Sequence, residues 1–107
     1  MIQAKFGATG DKMCLRVEGH AGFSELGQDI VCAGVSSLGQ ALLFGLECMG
    51  LGMEYSICPG ELRVEAVRTD ASYAMFCMCY AGMSAISQKY PRNVIVRGEI
   101  VQTPLLQ

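Results

Sequence analysis

The chain has 107 residues, of which 51% are hydrophobic and 17% are charged, and its formal net charge is −2. This length suits one domain and excludes a two-domain enzyme, while the apolar fraction excludes intrinsic disorder. The small negative charge gives no electrostatic reason to expect a nucleic-acid partner, so no direct nucleic-acid binding is predicted. We expect a single domain over residues 1–107.

The first predicted elements are two strands of a β-hairpin. Apolar residues alternate with polar or small ones over residues 2–8 and again over residues 13–17, and Thr9-Gly10-Asp11-Lys12 between them supplies turn residues. Such alternation buries one face of each strand. The glycine-rich residues 19–28 follow without sustained periodicity and predict a mobile loop.

A long helix is predicted over residues 30–49, because apolar residues recur there at steps of three and four. The apolar face comprises Val31, Val35, Leu38, Leu42, Leu46 and Met49. Asp29 is a favoured N-cap residue, and Gly50 is a plausible stop. Polar side chains and five glycines interrupt the apolar stretch 30–53, and no Lys or Arg flanks it closely, which favours a buried amphipathic helix over a membrane span. No membrane partner is predicted.

The second half of the chain repeats this pattern of a hairpin followed by a helix. Strands are predicted at residues 53–57 and 61–67, on either side of the turn Cys58-Pro59-Gly60. A helix over residues 71–89 has an N-cap at Thr69-Asp70, and a last strand covers residues 92–98. The order β-β-α-β-β-α-β predicts an α+β fold with a mainly antiparallel sheet packed against two helices.

Six cysteines beside a single histidine raise the question of disulfides or a metal site. The cysteines are Cys14, Cys32, Cys48, Cys58, Cys77 and Cys79. The N-terminus has no signal-peptide pattern, so we expect a cytoplasmic protein with reduced thiols. Cys77-Met78-Cys79 lacks the spacing of structural zinc sites, and His20 is the single histidine available. Neither a metal nor another cofactor is predicted.

Cys32 has the one clearly activating position among these thiols. With Asp29 as N-cap it lies in the first helical turn, where the helix dipole and unpaired N–H groups stabilise a thiolate and could hold an oxyanion. His20 ends the second predicted strand and meets Cys32 if the loop doubles back, which supplies a nucleophile and a general acid. Ser36 lies one turn further on the same helical face and could donate a hydrogen bond to substrate or thiolate.

These residues also have structural interpretations. From spacing alone, a structural histidine and a packing cysteine are commoner than a catalytic pair. Asp29 is either a helix cap, which places negative charge near Cys32, or a carboxylate that orients the ring of His20. Gly19, Gly22 and Gly27 have the conformational freedom that loop hinges need.

The motif residues together resemble a known family. Gly19-His20-Ala21-Gly22, then Gly27, then Asp29-Ile30-Val31-Cys32-Ala33-Gly34-Val35-Ser36 resemble the signature of the ribosomal-processing cysteine protease family, Prp. That signature reads G-H-A, a glycine-containing loop, and D-I-V-C-A followed closely by Ser. The similarity extends over nearly the whole chain, including a Tyr-Pro pair at the end of the second helix, and the paired motifs at fixed spacing are specific.

The resemblance implies a cytoplasmic bacterial cysteine endopeptidase that forms homodimers. Family members remove an N-terminal extension from a large-subunit ribosomal protein by cutting after a pair of phenylalanines, and a flexible loop between His and Cys closes over the substrate. By matching position, Cys32 is the nucleophile and His20 the general base and acid, with supporting roles for Asp29 and Ser36.

Two other functions are compatible with the residues. A non-catalytic ribosome-assembly factor would bind the same ribosomal protein and leave it intact. A thiol redox sensor would oxidise Cys32 and join it to a resolving cysteine such as Cys14. Neither function explains why the single histidine and the cysteine at the helix start both stand in the motif.

Overall fold

The computed structural model describes residues 1–25 and 28–98. The described elements are β1 (Ile2–Thr9), β2 (Lys12–Gly19), α1 (Ile30–Cys48), β3 (Met53–Cys58), β4 (Glu61–Val67), α2 (Asp70–Lys89) and β5 (Val94–Gly98). This order confirms the predicted α+β fold. The last strand begins two residues later than predicted, because residues 91–93 form a turn, and Cys58 belongs to β3 rather than to the turn.

The five strands form one mixed sheet in the order β3-β4-β2-β1-β5. The pairs β1–β2, β2–β4 and β3–β4 are antiparallel, whereas β1 and β5 are parallel. A parallel neighbour cannot be reached by a tight turn, and α2 makes the crossover from β4 to β5. The sheet is therefore mostly antiparallel, as predicted, with one parallel pair at its edge.

Both helices pack on one face of the sheet, since the buried strand residues belong to a single alternation. Those residues are Ile2, Ala4, Phe6, Met13, Leu15, Val64, Ala66 and Val94. From α1 the buried apolar side chains are Val31, Val35, Leu42, Leu43 and Leu46, and from α2 they are Phe76, Cys79 and Met83. Met49 was predicted on the buried face of α1, but it is the C-cap residue and is exposed.

By length and composition alone, α1 is apolar enough to cross a membrane. One such helix is a weak indication, because the core helix of a soluble protein passes the same test. Here α1 packs its buried stripe against the sheet and α2.

One end of the sheet brings the motif residues together. Ile2, at the start of β1, pairs with Gly19 at the end of β2 and with Val94 at the start of β5. The Gly19 N–H donates to the carbonyl of Gly60, in the turn between β3 and β4, at 2.9 Å. The start of α1 joins this end through Cys32, whose sulfur accepts a hydrogen bond from the residue after His20.

Candidate active site

Asp29 builds the start of α1 and ties the preceding loop to it. Its Oδ1 accepts the N–H groups of Val31 at 3.0 Å and Cys32 at 2.9 Å, and its Oδ2 accepts those of Phe23 at 3.0 Å and Ser24 at 3.3 Å. Burial opposes ionisation of this carboxyl, but the four donors outweigh it and hold the pKa of Asp29 below its ordinary value. Asp29 is therefore an ionised cap that serves both helix and loop.

This geometry decides between the two interpretations of Asp29. The hydrogen bonds to its carboxylate come from backbone N–H groups, so it acts as the helix cap and none of these bonds orients His20. The expectation that helix-start N–H groups hold an oxyanion is wrong for the first three that the structure pairs, because each already donates to Asp29. Those of Val31 and Cys32 donate to the Asp29 side chain, and that of Ala33 donates to the Asp29 carbonyl at 3.0 Å.

Cys32 is half-buried, and its sulfur has a backbone donor. The N–H of Ala21 donates to Cys32 Sγ at 3.1 Å, across a loop of eleven positions. Such a donor strengthens as the sulfur acquires negative charge, so it favours the thiolate form that attacks a carbonyl. The loop thus doubles back as the sequence interpretation requires, and it delivers the residue after His20 to the helix start.

His20 lies on the same cavity as Cys32. Its ring rests against Gly60, where a Cβ would stand 3.2 Å from Nε2, and Gly60 has φ +74°, so glycine suits this turn for both its conformation and its lack of a side chain. The His20 carbonyl accepts a hydrogen bond from the N-terminal amine of Met1. His20 and Cys32 therefore line the same cavity, of about 200 Å³, and their action as a catalytic pair stays a prediction.

The remaining walls of this cavity, the site cavity, come from β1, β2, α1 and the β3–β4 hairpin. They are Ile2, Val17, Val35, Ser36, Gln40, Ile57, Cys58, Gly60, Glu61 and Leu62. Gln40 Nε2 donates to Ser36 Oγ at 3.0 Å, which leaves the hydroxyl proton of Ser36 free to donate elsewhere. Ser36 thus lines the cavity on the same helical face as Cys32, as expected.

Two of the three predicted hinge glycines lie within the described residues. Gly19 has φ +95° and Gly22 has φ +68°, both in the left-handed region that favours glycine. Gly19 also lies so close to the Met1 carbonyl that a side chain would collide with it. Gly27 lies outside the described residues, and the hinge role of all three stays a prediction.

Cys14 and Cys79 lie in surroundings that differ from those of Cys32. Cys14 points away from the helices and lines a different cavity, of about 340 Å³, with Arg16 and Tyr55. The interpretation of Cys14 as a resolving partner for Cys32 is therefore wrong in this fold. Burial raises the pKa of Cys79 to about 12, which suits a packing role. Among the described residues, no group of three metal-ligating side chains lies close enough to hold an ion.

Sequence reasoning missed several residues of the site cavity and its surroundings. Cys58 shares the site cavity, although the turn sequence Cys58-Pro59-Gly60 indicated only a hairpin. Asn93 Nδ2 donates to the carbonyl of Ala21 at 2.9 Å, and the ring of Phe23 meets that of Tyr90 edge to face at 5.2 Å. No local pattern links residues so far apart in the chain, so these contacts needed the structure.

Comparison with known protein families identifies the class of protein. A family model described as Cysteine protease Prp matches residues 1–95, which places the protein in the cysteine protease class. The chain belongs to the Prp cysteine protease family. No curated protein sequence matches it.

Solved structures share this fold. The essential ribosomal processing protease Prp from S. aureus, in complex with a covalently linked product peptide, has a TM-score of 0.84 at 20% identity over 92% of this chain and 100% of that chain. The same protease with a substrate peptide has a TM-score of 0.79 at 19% identity, with the same coverage. A Streptococcus mutans protein has a TM-score of 0.67 at 26% identity, over 92% of this chain and 93% of that one.

Proposed function

We propose that this protein is a cysteine endopeptidase that removes the N-terminal extension of a large-subunit ribosomal protein by cutting after a Phe-Phe pair. The observation that carries the proposal is the shared cavity. His20 and Cys32 both line it, and the N–H of Ala21 donates to the Cys32 sulfur. Membership of the Prp family supports the peptidase class.

In the first half of the reaction, the Cys32 thiolate attacks the carbonyl carbon of the peptide bond. A C–S bond forms, and the carbonyl oxygen becomes negatively charged in the tetrahedral intermediate. His20, in its protonated form, gives a proton to the departing amine as the C–N bond breaks. The downstream ribosomal protein leaves with a new N-terminus, and the extension stays bound to Cys32 as a thioester.

In the second half, His20 acts as a general base. It takes a proton from water, whose oxygen attacks the thioester carbon, and the C–S bond then breaks to restore the Cys32 thiolate. The extension leaves as a carboxylate. Ser36 is the side chain we propose to donate to a substrate carbonyl, since Gln40 occupies its acceptor side and the donors of Val31 and Cys32 are engaged by Asp29.

The apolar walls of the site cavity suit aromatic substrate side chains. Val35 and Leu62 line it beside the reacting groups, and Ile57 lies at its rim with 53% of its surface exposed. Covering such surface stabilises a complex by about 25 cal/mol per Å² of apolar area removed from water. We also propose a cytoplasmic location and a homodimer, the latter measurable by sedimentation equilibrium.

Cleavage of a synthetic peptide that carries the Phe-Phe junction tests the proposal. Mass spectrometry locates the cut, and wild type is compared with Cys32→Ala, His20→Ala and the control Cys48→Ala, whose thiol is exposed at the far end of α1. We expect both site variants to lose turnover while Cys48→Ala keeps it. Undiminished turnover in Cys32→Ala would sink the nucleophile assignment, and binding without cleavage by wild type would favour an assembly factor.

A further inference from the structure

A segment outside the motif holds the loop that carries His20. This segment, residues 90–93, connects α2 to β5. The side-chain amide of Asn93 donates through Nδ2 to the Ala21 carbonyl at 2.9 Å, between residues 72 positions apart. Two residues further along the loop, Phe23 stacks edge to face on Tyr90. The loop therefore makes two contacts with one short segment, and the Asn93 contact is to the residue beside His20.

Asn93 is itself fixed on both sides. Its N–H donates to the Tyr90 carbonyl at 3.0 Å, and its carbonyl accepts the N–H of Ile2, in β1, at 2.8 Å. The next residue, Val94, is fully buried and pairs with Ile2 in the sheet. The side-chain amide of Asn93 thus projects from a backbone held by the turn and by the sheet.

Ala21 connects Asn93 to the candidate nucleophile. Its N–H donates to Cys32 Sγ, its carbonyl accepts from Asn93, and only 2% of its surface is exposed. A buried carbonyl that lost its donor would carry the cost of an unpaired polar group, so the loop would rearrange to satisfy it. Gly22, next in the chain, has φ +68° and places little restraint of its own on such a rearrangement.

We propose that Asn93 is a positioning residue for Cys32, because its hydrogen bond to the Ala21 carbonyl keeps the Ala21 N–H directed at the sulfur. This role rests on the proposed function, in which the Cys32 thiolate is the nucleophile. The donor stabilises that thiolate, and the same hydrogen bond sets the position of the adjoining His20. Asn93 is not among the residues that line the site cavity, and its side-chain amide acts on Cys32 through Ala21.

The rate of Cys32 alkylation by iodoacetamide at neutral pH measures this effect without any substrate. Peptide mapping by mass spectrometry separates Cys32 from the five other thiols. Loss of the hydrogen bond that holds the Ala21 donor against the reacting sulfur predicts an about tenfold slower reaction of Cys32 in Asn93→Ala. Peptide cleavage should show the same loss in kcat with little change in KM.

The charged and titratable groups around the sulfur are all retained in the sequence of this variant. His20, Cys58 and Glu61 line the site cavity, the Asp29 carboxylate accepts the Cys32 N–H, and the Met1 amine donates to the His20 carbonyl. A slower alkylation of Cys32 in Asn93→Ala is therefore attributable to the lost amide. Asn93→Asp is the second variant, because it keeps the shape of the side chain but cannot donate when ionised.

Ser87→Ala is the matched control for a merely structural effect. Ser87 Oγ donates to the Val94 carbonyl at 2.8 Å, so its removal also loses a side-chain hydrogen bond at the start of β5 without touching the loop. We expect its rate of Cys32 alkylation to match wild type. Alkylation rates of Asn93→Ala and Asn93→Asp equal to that of wild type, or an equally slow reaction in Ser87→Ala, would overturn the proposal. Neither result depends on whether the peptide is cleaved, so failure here is distinct from failure of the peptidase assignment.

Discussion

The two helices of this protein begin in the same way, yet the two starts differ in what their third residue does. Asp29 caps α1 and Thr69 caps α2, and the third helical residue is Cys32 in one and Ser72 in the other. Ser72 is fully buried, and its hydroxyl donates to the Val67 carbonyl at 2.8 Å. Cys32 is half-buried, accepts one loop N–H and lines a cavity.

The difference lies in which polar groups close the helix start. At α2, Thr69 and Ser72 form a reciprocal capping box, in which each side chain accepts the other residue's N–H. At α1, Oδ1 of Asp29 caps the helix and Oδ2 holds the loop, so the Cys32 side chain takes no part in the cap. Because Asp29 caps α1 without a contribution from the Cys32 side chain, the thiol of Cys32 is available for reaction.

The largest effect should follow from making the two starts alike with Cys32→Ser. A serine hydroxyl in this position is a far weaker nucleophile than a thiolate, so kcat/KM for the Phe-Phe peptide should fall by about 10³-fold or more. The melting temperature should stay close to wild type, because the Asp29 cap is untouched. A Cys32→Ser variant that keeps most of its activity would show that Cys32 is not the nucleophile.

A smaller effect should follow from removing each cap. Asp29→Ala frees the loop residues Phe23 and Ser24 as well as the helix start, and we expect activity to fall by about 10–100-fold from misplaced reacting groups, together with a lower melting temperature. Thr69→Ala should cost about 1 kcal/mol of stability and leave kcat unchanged. Steady-state kinetics and thermal melts separate the two, and equal activity losses would contradict a loop-holding role for Asp29.

Much of this contrast was readable from the sequence, because the caps and the helical periodicity are local. Asp29 and Thr69 precede apolar repeats at helical spacing, and the motif with His20 and Cys32 marked one start as functional. What the sequence could not supply were partners brought together by the sheet. Asn93 meets Ala21 only because β5 pairs parallel to β1, which itself pairs with β2.

The two cysteines whose positions the sequence interpretation misjudged, Cys14 and Cys58, differ in the reason for the error. Cys14 was a candidate partner for Cys32, but strand alternation places it on the face opposite the helices, once Met13 and Leu15 fill the core. Cys58, in contrast, reaches the site cavity because the β3–β4 turn folds against His20. The position of Cys58 depends on strand order, which no local pattern encodes, whereas that of Cys14 follows from the alternation within β2.

Ser72→Ala should affect stability alone. The variant leaves the Val67 carbonyl and the Thr69 N–H without their partner in a fully buried place, at a cost of about 1–3 kcal/mol. Urea unfolding followed by circular dichroism measures the change, and kcat for the peptide should match wild type. A loss of activity without loss of stability would contradict the view that the start of α2 is purely structural.

The smallest effect, and the one that separates the two caps chemically, is their response to acid. The pKa of Asp29 is lowered in the folded protein, so its ionisation adds stability that is present above the unfolded value of about 3.9 and is lost as pH falls through the folded value. Thr69 does not titrate. Thermal melts between neutral pH and pH 3 should therefore show a loss of stability in wild type. We expect a smaller loss in Asp29→Asn, whose amide carries no charge to lose, and a loss equal to that of wild type in Thr69→Ala. An acid response in Asp29→Asn equal to that of wild type would mean that other carboxyls dominate and that the start of α1 is no more sensitive to acid than the start of α2.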